Sequence, residues 1–90
     1  MRIAFLVRIN PFTQSPSANL DAQIAEMKNH PDVTSAEKID GDSWWNCRVV
    51  SKETREAKLD LSEQFRLCQG MREKFPTLHL QDIYAILEAP

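Results

Sequence analysis

The chain of 90 residues has the length of one domain, and 42 % of its residues are hydrophobic, an ordinary fraction for a folded protein. Its 13 acidic and 11 basic residues give a net charge of −2, so no overall positive field attracts nucleic acid or an anionic membrane. No apolar run approaches the roughly 18 residues of a membrane helix, and the two cysteines form no CxxC motif. We therefore expect one domain, residues 1–90, in the cytoplasm.

The first half of the chain predicts a strand, a helix and a second strand. Residues 2–9, "RIAFLVRI", alternate in the pattern of a strand, and residues 10–17 form a loop with two prolines. Residues 18–30 predict a short helix, which ends at a His-Pro pair. Residues 32–39, "DVTSAEKI", predict a weaker strand whose charged side chains suit the edge of a sheet.

The second half begins with a hairpin signal. The segment "DGDS", residues 40–43, is typical of a tight turn, and it leads into a strand at residues 44–50, "WWNCRVV". Residues 52–59 fit either an extension of the next helix or a polar turn. Residues 78–87 predict a closing strand.

A second helix is predicted from Leu61 to Phe75. Asp60 and Glu63 have the spacing of a capping box at its start, and Gly70 within it indicates a close packing contact. Helical spacing predicts that five of its residues face the core: Leu61, Phe65, Cys68, Met71 and Phe75.

The element order is therefore β-α-β-β-α-β. This is the order of the α+β ferredoxin-like fold, in which two helices cover one face of a four-stranded antiparallel sheet. The first and third strands then lie in the middle of the sheet, and its second face is uncovered. Many unrelated functions occur on this fold, so the function has to be argued from the uncovered face.

Alternation along the strands assigns side chains to the two sheet faces. The helix-covered face is predicted to carry Ile3, Phe5, Val7, Trp45, Cys47, Val49, Ile83, Ala85 and Leu87. The uncovered face is predicted to carry Arg2 and seven candidate partner-binding residues: Leu6, Arg8, Trp44, Asn46, Arg48, Tyr84 and Ile86. Two alternatives are that loop residues 10–18 or 51–59 cover Trp44, and that a one-residue register shift exchanges Trp44 with Trp45.

These residue types favour an interaction surface. Trp, Tyr and Arg are enriched where binding energy concentrates at protein interfaces. We expect a small non-enzymatic regulatory domain that binds a protein or a second copy of itself, such as an inhibitor encoded by a phage or mobile element. One alternative is binding of single-stranded RNA or DNA, although the net charge is negative and the usual RNA-binding signature is missing. Another is a dimeric small-molecule enzyme or sensor.

The sequence offers little for metal, cofactor or catalytic chemistry. The potential ligands have no close pairing, and we expect neither a metal nor another cofactor. Asn10 occupies the position where some small ferredoxin-like nucleases carry a carboxylate. His79 near Tyr84 is a weak acid–base candidate, and no catalytic residue is assigned. The potential metal ligands are His30, His79, Cys47 and Cys68.

Overall fold

The fold contains six elements in the predicted order β-α-β-β-α-β. The structure is a computed structural model, which describes residues 1–9, 20–41 and 44–89. Asn10 and the predicted loop at 10–17 lie outside these ranges. Within them, no helix is long and apolar enough to cross a membrane. The elements are β1 (Arg2–Ile9), α1 (Leu20–Lys28), β2 (Val33–Lys38), β3 (Cys47–Thr54), α2 (Leu61–Lys74) and β4 (Leu80–Glu88).

The four strands form one antiparallel sheet in the order β2-β3-β1-β4. The first and third strands are in the middle, as predicted. Alternate residues of β1 point to one face, where they are buried with residues of both helices. The α+β ferredoxin-like fold is therefore confirmed.

The hydrophobic core lies between this face and the two helices. Ile3, Phe5, Val7 and Ile9 of β1 are all buried in it. Burial of a large aliphatic or aromatic side chain contributes about 1.5–3 kcal/mol, so this single strand is a major source of stability. The other strands and the helices add Ile24, Met27, Val33, Ala36, Cys47, Val49, Leu67, Met71, Phe75, Leu80 and Ala85.

The start of α2 agrees with the capping prediction in one of its two parts. A carboxylate oxygen of Asp60 accepts a hydrogen bond from the backbone N–H of Glu63 at 2.8 Å, as expected of an N-cap residue. The Glu63 side chain does not return to the cap. It instead accepts hydrogen bonds from Arg55 and Arg66.

The predicted inner face of α2 is wrong in its first two turns. Leu61 is 89 % exposed and Phe65 is 69 % exposed, whereas Leu67 and Met71 enter the core. The helix is rotated relative to the prediction. The flank that adjoins Leu61 and Phe65 carries polar side chains that hydrogen-bond the backbone of β4, and this flank therefore lies against the strand. Gly70 also makes no close contact, since a Cβ atom built there has no neighbour within 4 Å.

Polar side chains of α2 close the outer edge of β4. The Gln64 amide donates a hydrogen bond to the carbonyl of Ala85 at 2.8 Å and accepts one from the N–H of the same residue. One turn later, the Cys68 thiol donates to the carbonyl of Ile83 at 3.4 Å. After another turn, Arg72 donates to two carbonyls at the start of β4. Unpaired strand edges promote association between sheets, and these side chains occupy this edge from Leu80 to Ala85.

The third strand is displaced from its predicted position. It begins at Cys47 rather than at residue 44, and it continues to Thr54. Residues 52–54 are therefore strand, and residues 55–60 are not helical, so the helical alternative for residues 52–59 is wrong. In the hairpin segment, Gly41 has φ +93°, a conformation that favours glycine. Residues 42 and 43 lie outside the described ranges.

Candidate interaction surface

The sheet has a second face that neither helix covers, which we call the open face. Its members alternate with the core residues along each strand. Some of these positions are small or apolar and are buried, such as Ala4 and Val50. The others are Arg2, Leu6, Arg8, Ser35, Glu37, Arg48, Asp82, Tyr84, Ile86 and Glu88, and the side chains of Trp44 and Trp45 contact this group.

Trp44 is the more exposed tryptophan, with 58 % of its surface accessible. The guanidinium carbon of Arg8 lies 3.5 Å from the centre of its ring, a cation–π contact. Trp44 lies before the first residue of β3, and this contact places its ring against the end of β1. The prediction that Trp44 is the more exposed of the two tryptophans is confirmed.

Trp45 does not enter the core, and that prediction is wrong. Its side chain is half-buried and stacks on Tyr84, with the ring centres 6.5 Å apart and an angle of 21° between the planes. Tyr84 belongs to the open face and is 49 % exposed. The strand rule failed because β3 begins only at Cys47, so alternation does not govern the residues before it. Both tryptophans therefore contact open-face residues.

Leu6 and Ile86 occupy the middle of the open face. Leu6 lies between Arg48 on one neighbouring strand and Tyr84 on the other. Ile86 is paired with Ala4 in the ladder between β1 and β4. Both hydrophobic side chains are half-buried, so the centre of the face is apolar.

Arg48 is held within the chain. Its guanidinium forms two hydrogen bonds with the carboxylate of Glu88, one of them 2.7 Å long from Nε, and this pair links β3 to β4 across β1. Bidentate pairs of this kind are among the stronger hydrogen bonds of charged groups. Arg48 thus stabilises the open face, which is a different role from the partner anchor that its sequence position suggested.

Asn46 also has an internal role. Its side-chain carbonyl accepts the N–H of Ile9 at 2.7 Å, and its backbone bonds both Val7 and Ile39. The side chain extends the hydrogen bonding of β1 beyond the point where β3 begins. Asn46 therefore positions the tryptophan segment beside β1.

Arg8 is the open-face cation that differs most from an ordinary surface arginine. Its Nε is buried, and among the described residues no acceptor bonds it. A buried polar group without a partner costs about 1–3 kcal/mol. The cation–π contact with Trp44 offsets part of this cost.

Opposite charges are balanced on the open face. Arg2, Arg8 and Arg48 are matched by three carboxylates, Glu37, Asp82 and Glu88. The ladder pairs Arg8 with Asp82, Arg48 with Glu37, and Arg2 with Glu88. Sequence reasoning did not include the carboxylates among the candidate residues, although the same alternation that selected Tyr84 and Ile86 places Asp82 beside them.

The potential ligands and nucleophiles lie away from the open face. Burial raises the pKa of the Cys47 thiol to about 12, and it also raises the pKa of Cys68, so both thiols are protonated at neutral pH. The Nδ1 of His30 accepts the N–H of Asp32 at 3.0 Å, and the ring meets Phe75 edge-on. In the described part of the chain, no group of three or more His, Cys, Asp or Glu residues could hold a metal ion.

Comparison with protein-family models, with curated proteins and with solved structures found no match for this chain. The geometry of the open face is therefore the basis for any functional argument.

Proposed function

We propose that this protein is a small interaction domain that binds a protein partner through the open face. One observation carries the proposal: two large aromatic side chains, Trp44 and Tyr84, are about half exposed on a sheet face that neither α1 nor α2 covers. Apolar residues beside them extend the surface, and exposed apolar patches mark interaction sites more often than chance positions do. A partner would cover the rings and supply acceptors to the Arg8 guanidinium.

The state of the rings supports a protein partner over a nucleic acid. Bases bind to aromatic side chains by occupying a ring face, and phosphates need a run of cations beside it. Here Trp45 already stacks on Tyr84, and Arg8 lies over one face of Trp44. The balanced charges of the open face also provide no cationic track. A protein interface, with its apolar centre and mixed polar rim, suits this composition better.

The test is affinity capture with the purified chain from a lysate of its source organism, followed by measurement of Kd with the purified partner. Replacing Trp44 by Ala should weaken binding by about 2 kcal/mol, which is about 30-fold in Kd, because truncation of a central aromatic residue has this effect at interfaces. Tyr84→Ala should weaken it in the same direction.

Phe65→Ala is the matched control, because Phe65 is an exposed aromatic residue on α2, outside the open face. It should leave Kd unchanged. Equal binding by the wild type and Trp44→Ala, or a loss confined to Phe65→Ala, would contradict the proposal. Thermal unfolding of each variant establishes that the fold is retained.

A further inference from the structure

Four residue pairs between β1 and β4 project from the open face, and none of them brings like charges together. The first and last pairs unite opposite charges, and the middle two are apolar. The pairs are Arg2 with Glu88, Ala4 with Ile86, Leu6 with Tyr84, and Arg8 with Asp82. Among the described residues, neither Arg8 nor Asp82 takes part in an ion pair. This charged pair is therefore available to a partner.

The pairing has a geometric consequence for a second copy of the chain. A two-fold axis parallel to the strands, between β1 and β4, would place β1 of one copy over β4 of the other. Each residue would keep its level along the strands, so Arg8 would face Asp82 of the second copy, and Leu6 would face its Tyr84. The same contacts would occur twice, as an isologous interface requires.

From this self-complementarity we infer that the partner of the open face is a second copy of this chain, in the arrangement just described. The inference rests on the proposed function, since it names the occupant of the same face. Arg8–Asp82 pairs would form at two symmetric places between the copies, and each Arg8 guanidinium would gain an ion-pair partner that it lacks among the described residues. Unlike charges would then surround an apolar centre.

Edge-to-edge association of two copies through the outer edge of β4 is restricted. Two copies of a sheet protein can also join edge to edge, through the unpaired backbone of an outer strand. On β4, the side chains of Gln64, Cys68 and Arg72 occupy that backbone. The face beside this edge, rather than the edge itself, is therefore the surface that β4 offers.

The size of the face sets the expected strength. Four strands at a spacing of about 4.8 Å, six to nine residues long at about 3.3 Å per residue, present a face of roughly 500 Å². With the axis between β1 and β4, only these two strands of each copy lie over one another, so about half of each face is covered and roughly 500 Å² is buried in total, below the range of stable specific interfaces. The dimer should accordingly be reversible and dependent on concentration.

Sedimentation velocity across a wide concentration range is the first measurement. The wild-type chain should shift from monomer to dimer, and each of Arg8→Asp and Asp82→Arg should weaken the association by at least about ten-fold, because like charges would meet at two places. The decisive arm is an equimolar mixture of the two variants. In their mixed dimer every charge pair is again attractive, so association should return, and the double variant should also dimerise.

The outcomes separate the inference from the proposed function. A wild-type chain that stays monomeric would overturn the second copy as partner, while the capture experiment with Trp44→Ala would still decide whether the face binds another protein. A dimer whose stability is unchanged in both charge variants, or a mixture of the variants that fails to restore association, would place the interface elsewhere.

If a variant does not fold, the tryptophan emission of the wild-type chain still tests the inference. As the protein concentration rises, the emission should shift to the blue because Trp44 is covered in the dimer. An unchanged spectrum across a demonstrated dimerisation would refute the inference.

Discussion

Replacing Gln64 by Ala removes both hydrogen bonds that this side chain makes to the backbone of Ala85. Each neutral hydrogen bond contributes about 1 kcal/mol net, and water can reach part of the strand edge once the side chain is gone. Alanine is also a slightly better helix former than glutamine, by a few tenths of a kcal/mol. We therefore expect the free energy of unfolding to fall by about 1–2 kcal/mol.

Urea denaturation measures this change, and thermal unfolding provides a second estimate, with a Tm decrease of roughly 4–8 °C for each kcal/mol in a domain of this size. Gln69→Ala is the matched control, since Gln69 is exposed on the same helix and the substitution is chemically identical. Amide exchange adds a local readout, because the Ala85 N–H should exchange faster only in the Gln64 variant. If the two variants are equally stable, the assigned role of Gln64 at the β4 edge is wrong.

Two further substitutions on α2 test its packing and its charges. Gly70→Ala should stabilise the domain by about 0.5–1 kcal/mol, because it favours the helix and a Cβ atom there meets no neighbour within 4 Å; loss of stability in urea would reveal a contact at this position. For Glu63, hydrogen bonds from Arg66 and Arg55 hold the pKa of the carboxyl below its usual value. A lowered native pKa stabilises the fold above the unfolded-state pKa, and this stabilisation disappears as the pH falls through the native one. The wild type should therefore have a higher Tm than Glu63→Gln at neutral pH and lose that advantage in strong acid, and a difference independent of pH would contradict the assignment.

The sequence was most informative where local pattern and tertiary environment agree. The alternation of Ile3, Phe5, Val7 and Ile9 with positions that include two arginines identifies β1 and its buried face, because a strand between a helix layer and an uncovered face needs that period. The Asp60 cap follows from equally local chemistry.

The sequence was least informative about features that depend on contacts between residues far apart in the chain. The rotation of α2 depends on bonds from Gln64 and Arg72 to a strand edge, and helical spacing alone could not favour Leu67 over Phe65. The position of Trp45 depends on where β3 begins. Asn46 determines this by bonding Ile9, 37 residues away in the chain.

The open-face members on regular strands were predictable, whereas their internal partners were not. Alternation correctly placed Leu6, Tyr84 and Ile86, since each lies within a ladder. The ion pair of Arg48 with Glu88 connects side chains on non-adjacent strands, and no local pattern indicates it. The same tertiary information distinguishes an arginine that supports the sheet from one, Arg8, that is available to a partner.

The central position of β1 has a consequence for how the chain reaches its native state. β1 is the first strand along the chain, yet it pairs only with β3 and β4, so Leu6 has to meet Arg48 and Tyr84. During synthesis both edges of this hydrophobic strand therefore have no partner until much later segments emerge, and pairings so distant in sequence slow folding. A chain interrupted before β4 would keep one edge of β1 exposed beside Ile3 and Val7, which makes arrested or truncated products the forms of this protein most prone to aggregate.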